Sequence, residues 1–455
     1  GYFYLGEGES INFRDQAPGE IEINGGEINA NQIAVSSSAA AGSYSFVQTG
    51  GIVRVTDEFN PDGNRALFHL GVPEMVFIMR GGEIIIEGES DWGTTNGIFI
   101  ASSPGNIDVT GGTVRIFDPE NGRGNNVEIN STAPFFNFVI EQYDVDMQSD
   151  LKVLNDLTIR TGTTRTNGGN TYGGYLDLCP NNNCSNLEVG RNLTIEDSGV
   201  IDFFTDAADD AGSATLTFNG TEDGVFYIGN ITTYTDALTA YSDPDGGTNT
   251  YSRYRFAIYN MVVDKNGGTL RLAAKNPGVE DGAGFLTAGG GKNLGSNNAR
   301  LLYIRNGLTI ASGSTLSQID PTGNQFGYIV RVYAPTINLD GNLLVYQQGV
   351  NPVNSFLEVR ERDPDNTPGT DVGDVILINS VAGSTIGNMV VDLGNDELRL
   401  ANDLTVARMA YRHGGVNLGT HNLKIDIFDI NPESSGDDER LRMRGGEYLF
   451  GDNIS

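Results

Sequence analysis

The stretch FIMRGGEIIIEG, Phe77 to Gly88, decides the fold. Apolar residues alternate with other residues on both sides of a central glycine pair. That period of two marks a strand with one buried face. The pair lets the backbone turn a corner where a Cβ would clash, after which a second strand begins. Near the other end of the chain LRMRGGEYLFGD, Leu441 to Asp452, repeats the design. So do IEINGGEINA from Ile21, FVQTGGIVRV from Phe46 and IDVTGGTVRI from Ile107. The shared template is Φ-x-Φ-x-G-G-x-Φ-x-Φ, with Φ apolar or, at some positions, small.

In the first part of the chain the glycine pairs begin at Gly25, Gly50, Gly81 and Gly111, about 25 to 31 residues apart. Short alternating runs such as ALFHL and GIFI lie between them. Three short strands per repeat, each turning a corner, describe one lap of a parallel β-helix. The expected fold is all-β, a right-handed parallel β-helix with loop insertions. A single lap cannot bury its narrow apolar face, whereas stacked laps bury Ile, Val, Leu and Phe in columns and pair the backbone edges. Some 15 to 18 laps at about 4.8 Å each would span roughly 70 to 85 Å.

A longer period overlies the middle. NMVVD from Asn260 returns from Asn388, and LRLA from Leu270 returns from Leu398, both displaced by 128 positions. LKVLNDLTI from Leu151 matches LRLANDLTV from Leu398. This organisation predicts Gly-Gly laps over residues 1–133, then superunits over 134–255, 256–385 and 386–455. Segments without alternation, Thr161–Ser185, Ile231–Arg255 and Lys275–Arg300, are expected to loop out. The absence of Met at Gly1 and the late Gly-Gly lap suggest a window onto a longer array that runs on past Ser455.

Acidic residues outnumber basic ones by 59 to 28, for a net charge of −31. Such a surface repels phosphate backbones and anionic lipid, which excludes nucleic-acid and bare-membrane binding. No apolar run approaches the length of a membrane span. The charge serves solubility and favours divalent counter-cations. Cys179 and Cys184, in CPNNNC, are the only cysteines. They can close a small loop, and a disulfide implies an oxidising exterior. Two sulfurs with no nearby histidine make a poor zinc site.

Calcium is the candidate cofactor. DPDGG places Asp243 and Asp245 on a tight turn, DPDN does the same for Asp363 and Asp365, and Asp371 and Asp374 follow. Such loops can supply hard oxygen ligands. The plain turn is the stronger reading, since X-Pro-Asp-Gly is a favourable type I turn without any ligand and no full D-x-D-x-D-G-x₅-E loop is present. NPDGN at Asn60 offers the same two readings. Tyr234, Tyr241, Tyr251 and Tyr254 cluster in one insertion, where they can stack on sugar rings or pin the loop to the stack. For catalysis the three histidines are His69, His413 and His421. His69 alternates outward, and the RHGG segment at Arg412 faintly resembles a polygalacturonase fragment without its companion motifs. No catalytic residue and no organic cofactor site is assigned.

The phrases N-Φ-x-V, L-[KR]-x-x-N-D-L-T-[IV] and G-x-L-x-Φ-x-S-G resemble repeats of very large surface proteins of the Bacteroidota, exported by the type 9 secretion system and including the giant gliding-motility adhesins. The resemblance covers most of Phe135–Phe428, with the Gly-Gly laps as a looser extension at each end, and none of these residues matches the family's C-terminal sorting domain. It implies a non-catalytic extracellular adhesin or filament segment on the cell surface. Its partners would be a surface or polysaccharide ligand and the secretion and gliding machinery of the outer membrane. A secreted polysaccharide lyase or hydrolase, or an autotransporter-type passenger, are the competing expectations.

Overall fold

The structure is a computed structural model. It describes residues 2–4, 10–13, 19–35, 44–56, 66–87, 96–117, 126–141, 144–160, 165–167, 170–172, 174–196, 199–203, 214–228, 240–241, 253–254, 257–273, 299–317, 327–332, 335–344, 356–360, 375–379, 385–430 and 442–454. Strands dominate, long parallel sheets run through the chain, and no α-helix occurs among the described residues. This is the parallel β-helix class expected from the alternation, not closed into a barrel. The chain divides into two compact units, Gly1–Ala214 with Ala240–Arg253, and Thr215–Thr239 with Tyr254–Ser455.

In the first unit the Gly-Gly template forms the strands Gly19–Ala30, Tyr44–Thr56, Val76–Glu87 and Ile107–Phe117, paired in that order and in parallel. Beyond the corner, Ile28, Val53, Ile84, Val114, Phe138, Leu157 and Leu193 lie in one register column. A third face stacks Ile11, Ile33, Phe68, Ile98, Ile129 and Met147. Phe46 and Phe77 stack with ring centroids 5.9 Å apart, and Phe68 meets Phe46 edge-on at 5.1 Å.

The corners explain the glycines. The second of each pair has positive φ, between 75° and 88° at Gly26, Gly51, Gly82 and Gly112. At Gly50, Gly81 and Gly111 the first is needed for closeness: a Cβ on Gly50 would lie 2.6 Å from the Asn24 carbonyl oxygen of the preceding lap. Gln48 lies fully buried beside this corner, and its Nε2 donates to the Glu83 carbonyl of the next lap at 3.1 Å.

The outer surface of these laps is laced by charge. Arg54 pairs with Glu27 and Glu87, and Arg115 with Glu83 and Glu141. Ile85 points outward between them in register yet is only 3% exposed, because arginine stems flank it on the laps before and after. His69 also points outward, as its alternation with buried Phe68 and Leu70 predicts, and stacks on Phe99.

The second unit shows three faces as well. One column holds Leu302, Val330, Leu357, Met389, Met409 and Phe428. Another holds Leu216, Met261, Leu308, Ile337, Leu377 and Leu400. A third holds Leu270, Leu316 and Leu343.

This arrangement revises the 128-residue period. Met261 and Met389 occupy the same place in the repeated phrase but belong to different columns. Leu270 and Leu398 differ likewise, Leu270 stacking on Leu316 and Leu398 on Val375. The repeat is therefore a strand–corner–strand module used at two different corners, and its offset is not a whole number of laps on one face. What it preserves is inward packing, since Met261, Val263 and Leu270 are as buried as Met389, Val391 and Leu398. The looped-out segment Thr161–Ser185 is also corrected in part. Tyr175–Asp177 within it joins the third face between Asp144–Met147 and Val200–Asp202, driven by fully buried Leu176.

Candidate functional site

The acidic turn residues Asp243, Asp245, Asp363, Asp365, Asp371 and Asp374 lie outside the described residues, as do the Asn60 turn and Tyr234 and Tyr251. Tyr241 and Tyr254 fall in the short strands Ala240–Tyr241 and Arg253–Tyr254. Cys179 and Cys184 are joined in a disulfide around the 3-10 turn Pro180–Asn182. The Asp177 carboxylate accepts the Cys179 amide at 2.7 Å, and the Ser185 amide donates to the Leu178 carbonyl at 2.7 Å. The loop is thus tied to its strand at both ends.

Two charged clusters emerge that sequence reasoning missed. In the first unit Glu128, Asp146, Asp177 and Asp202 occupy one register position on four successive laps. They alternate with inward Val145, Leu176 and Ile201, so they stand on the outer face, yet Asp146, Asp177 and Asp202 are buried. Asn126 donates to Asp146 at 3.1 Å and the Tyr175 hydroxyl to Asp202 at 3.0 Å. Carboxylates are the ligand type a hard cation takes. No group of three or more histidine, cysteine or carboxylate side chains converges on a metal position among the described residues.

In the second unit a β-bulge sets Arg412 and His413 against the single residue Asp392, since Val391 pairs Tyr411 and Asp392 pairs His413. A bulge re-aims side chains. Here Arg412 Nη1 comes within 3.5 Å of Glu358 and 3.8 Å of Asp392, and all three residues are buried. His413 Nδ1 donates to Asp392 Oδ1 at 2.7 Å. Tyr411 donates to the Gly414 carbonyl, and Gly414 takes a positive φ of 102°. The cluster spans three laps. Chemically it offers an Asp–His pair able to move a proton, beside an arginine committed to two carboxylates. The RHGG phrase marks two of its members; the pairing with Asp392 and Glu358 is a matter of register.

The repeated phrases also acquire a local meaning. Asp156 of LKVLNDLTI accepts from Asn192 Nδ2 at 2.7 Å, and Asp403 of LRLANDLTV accepts the Asn422 amide at 2.8 Å. In both cases the carboxylate at the corner holds the asparagine that opens the strand one lap on.

No family model, no curated protein and no solved structure matches this chain. No helix among the described residues is long and apolar enough to cross a membrane.

Proposed function

We propose that this chain is a non-catalytic segment of an extracellular adhesin or filament that attaches a cell to surfaces, in the manner of the gliding-motility repeats its phrases resemble. The observation that carries this reading is the lap-to-lap bond made by the N-D-L-T phrase in both units. One of the phrases behind the resemblance thus adds a side-chain bond between successive laps to the backbone ladder, which suits a segment built for reach and resistance to pulling. The disulfide is compatible with an oxidising exterior. The strongly negative charge suits a large exposed body. A surface or polysaccharide ligand, the outer-membrane secretion and gliding machinery, and calcium at the acidic turns belong to this proposal.

The Asp392–His413 pair favours a second reading, a secreted polysaccharide lyase or hydrolase. The burial of Glu358 and Arg412 weighs against it, because a glycan must reach the groups that act on it.

One experiment separates the two. Beads carrying the purified chain are held under shear on polysaccharide-coated glass, and the same chain is incubated with the soluble polysaccharides. Retention without new reducing ends or unsaturated products supports the adhesin. Product formation that is lost in His413→Ala overturns it in favour of the enzyme, and neither retention nor product overturns both. A calcium-dependent rise in melting temperature, reversed by chelation, tests the acidic turns.

A further inference from the structure

We draw no further inference here: the strongest candidate, the column of stacked carboxylates Glu128, Asp146, Asp177 and Asp202 on the outer face of the first unit, is a cluster of acidic side chains beside which nothing else among the described residues points to a bound cation.

Discussion

Asp156 accepts a hydrogen bond from Asn192 at 2.7 Å across one lap, and the two residues are Cα partners in the same parallel ladder. The second copy of the corner phrase makes a related contact in the second unit, where the Asp403 carboxylate accepts the backbone amide of Asn422 at 2.8 Å. A charged acceptor makes it stronger than a neutral pair. Asp156→Ala is expected to cost about 1 to 2 kcal/mol in urea unfolding. Asp156→Asn, which keeps an acceptor, should cost less. Equal losses would show that shape, not the bond, holds the corner.

The glycine pairs give a sharper contrast. Gly25 and Gly50 hold the same template position, but a Cβ at Gly25 meets nothing within 4 Å, whereas one at Gly50 meets the Asn24 carbonyl. Gly50→Ala should destabilise by about 2 kcal/mol or more, because the obstruction is backbone. Gly25→Ala should stay within about 0.5 kcal/mol of the parent. Thermal and denaturant midpoints of the two variants decide the matter.

Arg412 is the cation shared by buried Glu358 and Asp392. Replacing it with methionine keeps much of the volume and removes the charge. The expected loss is about 3 to 5 kcal/mol, since breaking a buried ion pair strands the carboxylates. Restoring stability by adding Glu358→Gln and Asp392→Asn would confirm that charge is the cause. A loss under about 1 kcal/mol for the arginine variant alone would show that the cluster does not depend on it.

Opening the Cys179–Cys184 loop tests the staple. For so small a ring the chain-entropy model predicts about 2 kcal/mol of stabilisation. Reduction, or the paired Cys179→Ser and Cys184→Ser variant, should lower the first unfolding midpoint accordingly. An unchanged midpoint would mean that the Asp177 and Ser185 hydrogen bonds alone hold the turn.

Alkaline stability follows from Tyr448. Burial raises its phenol above the ordinary value of 10.0, and the negative charge of Glu397 adds to the effect. The hydroxyl lies 2.9 Å from the Val416 carbonyl and 3.0 Å from that of Arg444, and donates there. A raised folded value favours the neutral form, so its stabilisation is complete below pH 10 and is lost as pH climbs through the folded value. Tyr448→Phe should flatten the pH dependence of melting above pH 10 while lowering stability at neutral pH. A parent and variant with parallel alkaline profiles would remove Tyr448 from the account.

Alternation and the Gly-Gly pair were enough to read the strand–corner–strand lap from FIMRGGEIIIEG, because both features are local in the chain. The charged clusters were not legible for the opposite reason. Glu128, Asp146, Asp177 and Asp202 come together only through register between laps of unequal length. Glu358, Asp392 and Arg412 meet through a bulge that no spacing announces. The 128-residue offset misled in the same way, since identical phrases build identical corners without fixing which face a corner serves. Ile85 shows the limit of binary pattern: it alternates as a surface residue and is nonetheless enclosed by Arg54 and Arg115.

Register partners stand 18 positions apart at Glu128 and Asp146, but 47 apart at Met261 and Leu308. The same kind of register is therefore kept across connections of very different length, and loop-closure entropy rises only slowly with that length. A connection can therefore change length without changing which residues face each other in an interior column. That makes the scaffold a natural host for grafted epitopes or whole inserted modules, each displayed at a chosen height along the ladder.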